Sequence, residues 1–144
     1  MKKIINSEKE MYKFASQLAK KLKGGEVLAL QGELGAGKTT FVKGLARALG
    51  VREVVHSPTF ILVKPYRIRN QKIIKTLIHV DAYRVAGGED LIFVGLDEFF
   101  QDKDTVMAIE WAEKVKKILP RARTKWIKFY LGKKLNQRIV QIKD

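Results

Sequence analysis

The chain has 144 residues, no cysteine, and 29 lysines and arginines against 15 aspartates and glutamates, a formal charge of +14. That length suits one domain with one real core, and 46% apolar with 31% charged residues is a globular composition, not a disordered one. No cysteine means no disulfide framework, thiolate metal site or cysteine nucleophile; with no apolar run near the roughly 18 residues of a membrane helix and no secretory stretch in MKKIINSEKEMYKF, the expectation is a cytoplasmic protein without membrane contact, one domain over 1–144.

In chain order, residues 7–23 predict an amphipathic helix. Ser7 and Glu10 make a capping box, and Met11, Phe14, Ala15, Leu18, Ala19 and Leu22 recur at helical spacing. Gly24-Gly25 stops it. EVLALQ (26–31) is a short apolar run of strand length, followed by the glycine-rich GELGAG and a predicted helix from Lys38 to Leu49, with Gly50 as its stop. Residues 60–67 and 72–81 predict a hairpin around Arg69-Asn70-Gln71. A loop with Gly87-Gly88 leads to a short helix around 89–100, and TVMAIE (105–110) to a buried strand. EKVKKIL (113–119) predicts a helix ended by Pro120, and KWIKFYL (125–131) with QRIVQI (137–142) a final hairpin. Strand–helix alternation with added hairpins predicts an α/β, phosphate-loop NTPase-like three-layer domain, its mixed sheet having a parallel core.

Charge is uneven along the chain. Residues 1–60 are net +6, 61–80 net +5, 81–112 net −6 and 113–144 net +9. Such a field favours anionic partners.

The strongest motif is GELGAGKT, in which Gly32 is followed by four residues and then Gly37, Lys38 and Thr39. It matches the phosphate-loop pattern, with a strand before it and a helix after it. Glycines let backbone amides curl around phosphate oxygens, and the helix N-terminus adds its positive end. Lys38 is the cation for the β/γ-phosphates and Thr39 the hydroxyl for Mg²⁺. This pattern predicts a nucleoside triphosphate ligand.

Asp81 closes the run Leu77–Val80, and Glu110 closes Val106–Ile109. Ligands of open α/β sheets sit outside the carboxyl ends of strands, so both acids belong beside the loop. Asp81 is the expected Mg²⁺-holding acid; Glu110 either activates the attacking water or helps hold the metal. Thr59 of Ser57-Pro58-Thr59-Phe60 offers a switch-like hydroxyl, although spacing alone reads first as an ordinary Ser-Pro turn. His79 faces away from Ile78 and Val80 and reads as a structural histidine rather than a catalytic one. Arg84 suits a phosphate, a partner or a surface ion pair equally.

Among small phosphate-loop proteins, a GTPase is disfavoured: Gln101-Asp102-Lys103-Asp104 lacks the guanine-reading asparagine, and Arg84 stands where a switch glycine belongs. A small-molecule kinase needs an acceptor pocket and a lid that 144 residues leave little room for. An ATPase acting with partners fits best.

The ordered set GELGAGKTTF (32–41), SPTF (57–60), HVDAYR (79–84), GLDEFF (95–100) and IEW (109–111) resembles the TsaE (YjeE) family. The resemblance implies an ATPase using Mg²⁺ with the TsaB–TsaD heterodimer, whose complex forms threonylcarbamoyladenosine in tRNA. By motif it implies Gly35, Ala36, Gly37, Lys38, Thr39 and Thr40 on the phosphates, Thr39, Asp81 and Glu110 at the metal, and Lys38, Asp81 and Glu110 as catalytic residues. Thr59 becomes the switch-like hydroxyl; Trp111 belongs to the nucleotide, a partner or the core. The family motifs leave Lys114, Lys116, Lys117, Arg121, Arg123, Lys125, Lys128, Lys133, Lys134 and Arg138 unaccounted for. They read as surface composition or, alternatively, as a face for tRNA phosphates. A nucleotide-switched RNA-binding module is the competing function, and a small-molecule kinase the third.

Overall fold

The computed structural model describes residues 1–56, 63–69, 71–85 and 95–143. A seven-stranded mixed sheet is its frame: β1 (Lys2–Ile5), β2 (Val27–Gly32), β3 (Val63–Arg67), β4 (Thr76–Asp81), β5 (Thr105–Glu110), β6 (Thr124–Leu131) and β7 (Arg138–Lys143), in the spatial order β1-β7-β6-β2-β5-β4-β3. The central strands β6, β2, β5 and β4 run parallel, while β7, β1 and β3 add on antiparallel. The expected mixed sheet with a parallel core is therefore what the chain forms.

Side-chain alternation divides the interior into two layers. Leu28 and Leu30 of β2, with Val106 and Ala108 of β5, pack under helices α1 (Glu8–Ala19) and α2 (Lys38–Leu49). Val27, Ala29, Met107 and Ile109 face the other way, onto Ala112, Val115 and Leu119 and the short helix α3 (Leu96–Phe99). Helices on both faces complete the three-layer arrangement.

Helix α1 starts as its capping box predicts: Ser7 Oγ accepts from the Glu10 amide at 3.1 Å, and Glu10 accepts from the Asn6 amide at 2.5 Å. It ends at Ala19, four residues early, because Lys21 and Leu22 bond back to Leu18 and Ala19 and tighten the last turn. Helix α2 keeps its predicted bounds, with Gly50 in the left-handed region. Phe41 on α2 is fully buried between Phe14 (ring centroids 5.8 Å apart) and Phe129 (5.6 Å), and so joins α1, α2 and β6. Phe41→Ala is expected to cost about 3–5 kcal/mol, read as a lower denaturant midpoint with an unchanged slope. A loss below about 1 kcal/mol would mean that the rings do not form this junction.

Two local features have no counterpart in the sequence pattern. Residues 2–5 form β1, a strand that their composition does not announce, because four residues with two lysines become a strand only by pairing with β7. Lysines on such an edge also discourage pairing with other chains. The helix expected at 113–119 is a 3₁₀ run, Ala112–Ile118, interrupted at Val115. Ala112 and Val115 of this run are buried on the sheet, with Ile118 half-buried beside them. Of the helix expected around 89–100, Leu96–Phe99 is observed; residues 89–94 lie outside the described ones. Among the described residues, no helix is long and apolar enough to cross a membrane.

Candidate nucleotide-binding site

Three parallel strands end at one level. In the register, Leu30 of β2 and Asp81 of β4 are both partners of Glu110 on β5. β2 then runs out through Gly32 into the loop that starts α2. Gly35 (φ 79°) and Gly37 (φ 104°) hold the left-handed region that a side chain disfavours. Gly37 caps α2 without a side-chain acceptor, so the first amides of the helix are left for a ligand. Arg138 of β7 steadies the loop, donating from Nε to the Gly35 carbonyl at 2.9 Å. That residue leaves the unexplained basic set and joins the site; only the tertiary pairing of β7 brings it there.

Lys38 is 4% exposed. Its ammonium donates to the loop carbonyls of Gly32 and Glu33 and lies 4.1 Å over the Trp111 ring. Trp111 is the one non-glycine residue with positive φ (59°) among the described residues, a backbone cost of order 1 kcal/mol or more. Tyr83 packs on its indole at 5.1 Å. Trp111 thus lines the site while also packing against the core layer behind it.

Glu110 is 3% exposed. Thr39 Oγ1 donates to its Oε1 at 2.9 Å, and His79 Nε2 lies 2.5 Å from its Oε2. Asp81 Oδ1 accepts from the Tyr83 amide at 2.9 Å. Thr39, Asp81, Tyr83 and Glu110 line one cavity of about 830 Å³, with His79 behind them. The acids, Lys38, Tyr83, Arg84 and Trp111 mark one end; Ile5, Ser7, Met11, Asn136 and Arg138 mark the other. Gly35, Gly37, Thr39 and Thr40 also line it, and Ala36 is buried beneath the loop. Thr59 lies outside the described residues.

Burial holds the Lys38 pKa below the ordinary lysine value, against the opposing pull of Glu110, Glu113 and Asp81. Glu113 was not singled out in the sequence, and the 3₁₀ turn brings it to Lys38. Burial pushes its pKa above the usual carboxylate value, with Lys38 and Lys114 opposing, and among the described residues its buried Oε1 has no hydrogen-bond partner. A carboxylate raised in this way contributes stability below its unfolded pKa and loses it as pH rises through the folded one. Glu113→Gln is therefore expected to melt higher than wild type at pH 7, with the gap closing at pH 4. An equal or lower melting temperature at pH 7 would contradict the desolvation argument.

The site fits a nucleotide with a hard cation. Its donors are oxygens: the Thr39 hydroxyl, the Asp81 carboxylate and the Glu110 carboxylate, beside amides oriented for phosphate. Among the described residues no three acids or histidines cluster tightly enough to hold a metal unaided. Mg²⁺ suits such a site, because it binds through one or two carboxylates together with phosphate and water oxygens.

The family model described as threonylcarbamoyl adenosine biosynthesis protein TsaE matches residues 5–140. The tRNA threonylcarbamoyladenosine biosynthesis protein TsaE of Aquifex aeolicus is 45% identical over 115 residues, 78% of this chain and 77% of that protein. TsaE of Bacillus subtilis is 46% identical over 102 residues, which cover 60% of its length, and TsaE of Treponema pallidum is 40% identical over 120 residues, 84% of its length. The crystal structure of Bacillus subtilis YdiB superposes with a TM-score of 0.78 at 31% identity, covering 99% of this chain and 83% of that one. Motifs, architecture and relatives agree: the chain belongs to the TsaE family.

Proposed function

We propose that this chain is a cytoplasmic, Mg²⁺-dependent ATP hydrolase serving tRNA threonylcarbamoyladenosine formation together with a TsaB–TsaD heterodimer. The observation that carries this reading is the meeting of Lys38 and Thr39 with Asp81 and Glu110 in one cavity at the ends of β2, β4 and β5. The family and the names of its members support the pathway.

Each residue then has a task. The loop amides and the α2 N-terminus receive the phosphates, and Lys38 moves from the Gly32 and Glu33 carbonyls and the Trp111 ring to the β/γ-phosphate oxygens. A bound Mg²⁺ neutralises charge developing on those oxygens. Thr39, its hydroxyl turned from Glu110, and Asp81 on β4 would hold the ion. Glu110 Oε1, released by Thr39, accepts a proton from the attacking water or orients it. The nucleoside occupies the end near Ser7, Met11 and Asn136. Leu34 and Tyr83, 79% and 50% exposed at the mouth, give a partner an apolar rim to cover.

Arg138 is committed to the loop, and the charge that speeds hydrolysis is assigned to the partner rather than to Arg84, as arginine fingers act in trans. Phosphate release by the purified chain is expected to rise at least tenfold with the heterodimer and to survive Arg84→Ala. No stimulation would remove the partner claim; loss in Arg84→Ala would place the finger in this chain.

A second reading, direct RNA binding, is favoured by the exposed Lys114, Lys116, Lys117, Arg121, Lys133 and Lys134. It predicts tRNA affinity that falls steeply with salt. No binding by the isolated chain at physiological salt would exclude it.

A further inference from the structure

His79 has no task in the reaction as described, yet it is the most completely buried polar side chain beside the acids, at 0% exposure. It stands on β4 two residues before Asp81, on the same face, and its register partner is Ala108 of β5. Among the described residues its buried Nδ1 has no hydrogen-bond partner, while Nε2 lies 2.5 Å from Glu110 Oε2. An ionised carboxylate can only accept, so in this pair Nε2 carries the proton and Nε2–H donates to Glu110 Oε2. An apolar side chain would fill this space without burying an unpaired nitrogen; what the imidazole adds is that one bond.

We propose that His79 is the positioning residue of Glu110, a role that rests on the hydrolase reading above. A carboxylate turns easily about its last torsion. In the present arrangement both oxygens are held, Oε1 by Thr39 and Oε2 by His79. Once Thr39 turns toward a nucleotide-bound cation, the anchor on Oε1 is gone. The Nε2–H bond then keeps the carboxylate plane fixed, with Oε1 aimed at the place where the Thr39 hydroxyl had been. His79 touches neither nucleotide nor water; it acts through Glu110, as groups behind reacting or ligating side chains commonly do.

The test uses the full chain with His79→Ala and His79→Gln, the glutamine amide being able to donate from nearly the position of Nε2. Single-turnover phosphate release is measured with and without the heterodimer, and ADP affinity separately. His79→Ala is expected to slow hydrolysis about ten- to a hundredfold, leave KM and ADP affinity within about twofold, and be partly rescued in His79→Gln. In the nucleotide-free chain, a strongly downfield imidazole N–H proton resonance is expected in wild type, lost in both His79 variants and displaced in Glu110→Gln. Unchanged hydrolysis in His79→Ala, or no such resonance in wild type, would overturn the proposal. So would a joint fall of rate, ADP affinity and melting temperature without rescue by glutamine, the mark of a packing role alone. A wild-type chain that releases no phosphate even with the heterodimer would overturn the hydrolase reading itself, and His79's role with it.

Discussion

Glu110→Gln is expected to stop ATP turnover while leaving nucleotide binding in place. The substitution keeps the shape of the side chain and an oxygen for the Thr39 hydroxyl, but removes the proton acceptor. Loss of a positioned general base costs about 10²–10⁴-fold in rate, or roughly 3–5 kcal/mol of barrier. Rapid-quench phosphate release with the heterodimer checks the first half, and ATP affinity by calorimetry the second. A variant turning over within threefold of wild type would remove Glu110 from the chemistry. A variant that lost ATP affinity in equal measure would make Glu110 a ligand for the loaded metal instead.

Lys38→Met carries the second large effect, and it has two signs. Nucleotide affinity is expected to fall at least about a hundredfold, since the phosphates lose their closest cation and such a truncation costs roughly 2–5 kcal/mol. The nucleotide-free variant is nevertheless expected to melt higher than wild type at pH 7. Lys38 has a pKa lowered mainly by burial, so its charged form is disfavoured in the folded chain. The sign follows from linkage: between the folded and unfolded values the unfolded chain binds more protons, stability rises with pH there, and below that window the burden is fully present. Methionine fills the same space without the charge. Thermal melts across pH 6–10, with and without ADP, read both effects. A nucleotide-free Lys38→Met that melted below wild type at pH 7 would mean that the Gly32 and Glu33 carbonyls and the Trp111 ring more than offset desolvation.

Much of this site was legible in order. GELGAGKT placed the loop, and the runs ending in Asp81 and Glu110 placed two acids at strand ends, because a phosphate loop and a carboxylate at the end of a buried strand are local devices written in consecutive residues. Helix α2 kept its predicted bounds for the same reason, since Gly37 and Gly50 punctuate it at both ends. Other features had no local signature. β1 exists only through its pairing with β7, and the run at 112–118 is 3₁₀ and broken at Val115, which its residue pattern does not announce.

The sequence by itself determined the phosphate-loop motif, the α/β alternation and the charge surplus, since each depends on neighbouring residues or on composition. Tertiary structure alone decided which distant groups complete the site. Arg138 reaches Gly35 across 103 positions, and His79 meets Glu110 across 31. Glu113 and Trp111 arrive beside Lys38 through a turn whose form no periodicity announced. Such meetings follow from strand order and register, and those are set by how the whole apolar surface packs, not by any segment's own preference.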